Sequence, residues 1–171
     1  MRKFLCLLAV LLAGTSRLAS AGDFDTTVDM RATSATTFYV EGQIAGLGNV
    51  DLMVDTGSGY MTINEEMLAR LEESGRVRYV KQLRGRLANG SELEVPVYAI
   101  EALSIGGGCW VKDVEAAVFP GATRAILGLN ALQRAAPFIF SFEPPRLVLS
   151  NCLATAAGPS ADTAELAAFD R

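Results

Sequence analysis

From Phe38 onward the chain is built of short apolar runs, most alternating with polar residues and each stopped by Gly, Asn or Pro, a rhythm that suits β-strands. Phe38-Tyr-Val-Glu-Gly-Gln-Ile44 alternates, Gly46-Leu-Gly-Asn49 has turn chemistry, and Val50-Asp-Leu-Met-Val54 alternates again with Val50, Leu52 and Val54 on one face. That pattern predicts a hairpin. Further strands are expected at about 77–87, 92–105, 109–119, 138–142 and 146–150. Asn89-Gly90 between two of them is a tight-turn signal, because both residues tolerate positive φ. One helix stands out: Asn64 can cap it, Glu65 and Glu66 suit its positive end, Ile63 can staple against Leu68, and Gly75 can stop it. The expected class is all-β with one or two short helices.

What precedes Phe38 reads differently. Arg2 and Lys3 introduce an apolar run over 4–13, and Ala19-Ser20-Ala21 is a small-x-small cleavage site, the pattern of an export signal over 1–21. The alternative, an uncleaved anchor, would need about 20 apolar residues to span a bilayer. The expected location is therefore periplasmic or secreted, with no stable membrane span after cleavage. Residues 22–37, rich in Thr, Ala and Asp, are expected to be a loose lead-in, 38–153 the folded domain, and 154–171 a mobile tail. Cleavage after Ala21 takes Lys+Arg from 15 to 12 against 19 Asp+Glu, a net charge of −7, which argues against nucleic acid as a partner. Of the three cysteines, Cys109 and Cys152 survive cleavage. Outside the cytoplasm such a pair more commonly forms a disulfide than a metal site or a nucleophile, provided the fold brings the Cα atoms within about 7 Å.

The chain contains 0 histidines. Ser/His/Asp triads, Cys/His pairs and His-ligated metals are excluded, so any hydrolysis must rest on carboxylates, Lys, Ser, Thr, Tyr or Cys. Attention falls on Val54-Asp55-Thr56-Gly57-Ser58, at the end of an apolar strand. A carboxylate there can be held rigidly and partly buried, Gly57 lets the backbone turn tightly, and Ser58 can donate a hydrogen bond to Asp55. An ordinary Asp-Thr-Gly turn would look the same in isolation. Some 70 residues later, Ala125-Ile126-Leu127-Gly128-Leu129-Asn130 repeats the apolar-apolar-turn-Gly pattern before a short helix. Other acidic residues have plainer readings: Glu65, Glu66, Glu72 and Glu73 as a solvated helix face, and Glu92 and Glu94 as the wet side of a strand. Trp110 and the three Phe of 138–142 are expected in the core, or at an interface between chains.

These two motifs resemble those of the retropepsin-like aspartic proteases, particularly the small single-domain bacterial members of clan AA. Leu52-Met-Val-Asp-Thr-Gly-Ser58 matches the first family motif, Ile126-Leu-Gly128 the second, and the resemblance spans about 38–150. It implies a closed β-barrel or sandwich with a flap hairpin tipped near Asn89 and Gly90. It further implies a catalytic Asp55, with Thr56, Gly57 and Ser58 supporting its loop and Ile126, Leu127 and Gly128 forming the crossing partner. Thr56 would tie two active-site loops together across subunits. Peptide hydrolysis by this chemistry needs two carboxylates around one water, and only one Asp-Thr-Gly occurs, so the resemblance implies a homodimer acting on extended polypeptide without metal or organic cofactor. A non-catalytic peptide-binding or oligomerisation module on the same fold is the alternative. Gly59, where relatives more often carry a side chain, and a flap tip that is not Gly-rich are the features it would explain.

Overall fold

A computed structural model of the chain describes residues 24–33, 36–86 and 90–154. The predicted leader 1–21, Asn89 of the flap tip and the tail from residue 155 lie outside the described residues. The expected hairpin forms from β3 (Thr37–Ile44) and β4 (Gly48–Val54), paired antiparallel from Tyr39↔Met53 to Ile44↔Gly48. Along β3 the alternation is physical: Phe38, Val40, Gly42 and Ile44 are buried while Glu41 and Gln43 face water. Strand β5 (Met61–Asn64) runs into α1 (Glu65–Glu73), where Asn64 Oδ1 accepts from the Met67 amide at 2.9 Å, Leu71 is buried and the four glutamates lie exposed. Gly75 follows with φ +67°.

Two long strands, β6 (Val77–Arg86) and β7 (Glu92–Ile105), form an arm whose ladder ends at the pair Arg86↔Glu92. At its described tip Gly90 is exposed with φ +85°. β7 then turns through 106–108 into β8 (Cys109–Phe119), and β9 (Ile126–Leu127) leads into α2 (Leu129–Arg134). The larger sheet runs β2-β3-β4-β9-β5-β8-β7-β6, β2 being Arg31–Thr33, and an extra β3–β7 pairing curls it round on itself. Closure brings backbones unusually near: a Cβ on Gly42 would sit 2.6 Å from Leu52 Cδ1 and 2.8 Å from the Ser104 carbonyl oxygen. The enclosed space is filled by Ile44, Leu52, Met61, Ile63, Leu71, Leu103, Leu127 and Leu132, all fully buried. A smaller apolar cluster joins Val95 and Val97 of the arm to Ala117 of β8.

A separate three-stranded sheet, order β1-β11-β10, gathers the two ends of the domain: β1 (Thr26–Asp29), β10 (Phe138–Phe142) and β11 (Pro145–Leu149). Here the structure departs from the expected loose lead-in. Residues 26–29 pair with 146–149, burying Val28, and Met30 is buried just beyond. Two apolar residues at a spacing of two were enough once a distant partner strand supplied the hydrogen bonds. The three phenylalanines share a face as expected, but none is fully buried. Phe38 packs edge-on against Phe140 and Phe142, at centroid distances of 5.3 and 5.7 Å, and Phe142 remains 68% exposed. Cys109 and Cys152 form a disulfide with Cα atoms 4.6 Å apart, and Leu153 bridges to Trp110 beside it, tying the segment after β11 to β8. Among the described residues, no helix is long and apolar enough to cross a membrane.

Candidate active site

Asp55 stands at the end of β4, where the apolar strand meets a loop of small residues that returns into β5. Between these two strands lies β9, parallel to β4 (Met53↔Ile126, Val54↔Leu127) and touching β5 at Thr62↔Ile126. The two sequence motifs are thereby brought together. The Asp55 amide donates to the Leu127 carbonyl at 3.2 Å, the Leu129 amide to Ser58 O at 2.8 Å, and the Asn130 amide to Gly59 O at 3.3 Å. The loop is thus fastened at its first, fourth and fifth positions by backbone from the second motif. Gly128 explains itself sterically: a Cβ there would lie 2.2 Å from the Tyr60 carbonyl oxygen and 2.9 Å from the Met61 nitrogen. No side chain fits where the segments cross.

Within the loop, Asp55 Oδ1 accepts from the Gly57 N–H at 2.8 Å, and the Ser58 amide donates to the Asp55 carbonyl at 3.2 Å. The sequence reading offered Ser58 as the donor to the carboxylate, and this the structure corrects. Ser58 Oγ instead donates to the carbonyl of Tyr60 at 2.7 Å, because the tight turn presents that carbonyl two residues ahead, while the Gly57 amide is already aimed at the carboxylate. Asp55 is partly exposed, and Thr56 and Gly57 are exposed. The carboxylate therefore combines a fixed orientation with access from outside, which is what a group that handles a water needs. A groove of about 920 Å³ lined by Asp29, Arg31, Tyr39, Glu41 and Asp51, among others, does not include Asp55. A recess of about 470 Å³ does border its loop, lined by Gly59, Tyr60, Glu115, Asn130, Gln133 and Arg134.

Asn130 carries a role that the sequence reading did not assign. Its Oδ1 accepts from the Met61 amide at 2.7 Å and its Nδ2 donates to the Glu115 carbonyl at 2.6 Å, so one amide stitches the end of the loop to β8. The signal was present: an Asn inside Ile-Leu-Gly-Leu-Asn-Ala-Leu is a polar group in an apolar run, tolerable only if its hydrogen bonds are made. Lys81, which reaches the same loop from β6, had no such signal.

Comparison with known proteins agrees with this arrangement. Residues 40–134 match the family described as "gag-polyprotein putative aspartyl protease". Among solved structures the fold is similar to a retropepsin-like aspartic protease from Rickettsia conorii, with 19% sequence identity, a TM-score of 0.51, and 72% of this chain and 88% of that chain covered. No curated protein matches. With the family match covering more than half of the chain, and with an Asp-Thr-Gly loop braced by a crossing Ile-Leu-Gly, the chain belongs to the gag-polyprotein aspartyl protease family and has the all-β retropepsin-like fold of clan AA.

Proposed function

We propose that this chain is one half of a homodimeric aspartic endopeptidase that hydrolyses peptide bonds through a water held between two Asp55 carboxylates. The observation that carries the reading is the Asp55 loop: a single carboxylate, oriented by the Gly57 N–H, pinned by residues 127–130 and left accessible. Two such groups about one water share a proton, because like charges this close resist double ionisation. The ionised member takes a proton from the water as it attacks, while the protonated member donates to the carbonyl oxygen of the scissile bond. A two-fold axis would supply the second carboxylate without a second motif, and the exposure of Thr56 supports its bonding across that axis. The β6–β7 arm would lie along an extended substrate and pair with its backbone, as a strand added to a sheet edge does. The export-signal pattern over 1–21 supports the periplasm or the exterior as the place of this work.

The test is cleavage of a mixed peptide library by purified exported chain across acidic to neutral pH, beside Asp55→Asn. The parent should cleave with a bell-shaped pH profile. Asp55→Asn, which can act neither as base nor as acid, should lose at least about 10³-fold in turnover while still sedimenting as a dimer. Cleavage by Asp55→Asn at the parental rate would refute the mechanism. Binding of extended peptides by both, without cleavage by either, would establish the binding-module alternative.

A further inference from the structure

The ladder between β6 and β7 slips once. Val77, Arg78 and Tyr79 face Ile100, Ala99 and Tyr98, but the next pair is Lys81↔Val97, leaving Val80 as an extra residue. An inserted residue bends the strand and sends every later side chain to the opposite face, so the bulge decides where Lys81 points. Its ammonium donates to Glu115 Oε2 on β8 at 2.8 Å and lies 5.3 Å from the centre of the Tyr60 ring. Tyr60 belongs to the Asp55 loop: its carbonyl accepts from Ser58 Oγ, and its ring packs with Val80 on the small cluster of Val95, Val97 and Ala117. One side chain therefore joins the arm, the active-site loop and β8.

We propose that Lys81 is a positioning residue, latching the β6–β7 arm to the Tyr60 side of the Asp55 loop and so fixing the angle at which the arm meets a bound peptide. The substrate half of this statement rests on the protease reading above. The pair is only partly shielded, with Lys81 and Glu115 side chains 42% and 33% exposed, so the latch is worth the modest amount of a surface ion pair joined to a cation–π contact. Such a latch biases the geometry of the arm without holding the fold together. Glu115 first, and then Tyr60, raise the Lys81 pKa above its usual 10.5, which keeps the cation present throughout the neutral range.

Lys81→Met keeps the apolar stem and removes the charge, and Lys81→Arg keeps the charge. Two readouts separate this proposal from the protease reading. Hydrogen exchange of the amides at 93–97, measured on substrate-free protein, needs no activity. It should quicken about fivefold in Lys81→Met and stay near parental in Lys81→Arg. With a cleavable peptide, Lys81→Met should raise KM about fivefold with kcat changed less than about twofold, and Lys81→Arg should restore KM. Unchanged exchange in Lys81→Met overturns the latch, as does a KM that Arg fails to restore. A Tm falling by much more than about 2 °C, with kcat and KM deteriorating together, would make Lys81 a merely structural residue. If the parent cleaves nothing, the protease reading falls and the exchange result alone decides the latch.

Discussion

The Asp55 loop and the terminal sheet are built in opposite ways. The loop is finished within one chain: residues 127–130 fasten it by three backbone hydrogen bonds, the Asn130 side chain holds its exit, and Gly128 closes the crossing without room for a methyl group. The terminal sheet ends in open edges. Among the described residues β10 and β1 are its two edges, and Ile139 (46% exposed) and Phe142 (68% exposed) present large apolar surface on β10. Exposed strand edges with apolar side chains are commonly blunted or covered. The contrast teaches that the Asp55 loop is made rigid by contacts within the chain, while the terminal sheet keeps large apolar side chains in solvent at its edge.

The strongest way to break that contrast is to cut the link between its two halves. The Cys109–Cys152 bond closes a loop of sequence separation 43 and anchors the end of the terminal sheet to β8. Cys109→Ala with Cys152→Ala should cost about 4 kcal/mol on the chain-entropy account, read as a shift in urea midpoint with m unchanged. A loss below about 1 kcal/mol would show that β11 and the Trp110–Leu153 bridge hold that end unaided. Gly128→Ala tests the rigid half. The new methyl group has only backbone to displace, so about 3 kcal/mol of stability should go, and peptide turnover should fall with it. Parental stability would mean that the crossing can open.

The open-edged half is tested more gently. In the proposed homodimer, Phe142→Ser should weaken association about tenfold by sedimentation equilibrium, while the isolated chain loses only about 1 kcal/mol from its edge-on contact with Phe38. Unaltered association would mean that β10 takes no part in contact between copies. The smallest effect concerns Lys81. Its pKa is raised in the folded chain, by the Glu115 hydrogen bond first, so its contribution is complete below about 10.5 and disappears as pH climbs through the higher folded value. Titrating arm-amide exchange from pH 7 to 11 should therefore show the latch intact until the alkaline end; a loss near neutrality would contradict the ion pair.

Legibility followed the range of the interaction. The β3–β4 hairpin could be read because Phe38, Val40 and Ile44 alternate next to a Gly-Asn turn, and α1 because Asn64 caps it from the adjacent position. Asp55 and Gly128 were legible as motifs, since the shape of each short segment needs its own residues. β1 was missed because its apolar content is slight and its partner Leu147 lies more than 100 residues away. The Ser58 hydroxyl bonds the Tyr60 carbonyl rather than the expected Asp55 carboxylate, because the turn geometry and not residue type chooses its acceptor. The bulge at Val80 leaves no mark in composition at all, and Lys81 could not be singled out without it.

The wedge of β9 between β4 and β5 also sets a schedule. Met61 and the Asn130 amide that receives its N–H are 69 residues apart, and the carbonyl that orients the Asp55 backbone belongs to Leu127. A nascent chain emerging at about 5–20 residues per second displays the Asp-Thr-Gly segment several seconds before the piece that locks it. Closing so long a loop is also entropically late among folding events. During synthesis the aspartate is therefore carried in an unshaped segment, and its loop acquires its form only once nearly the whole domain has been delivered.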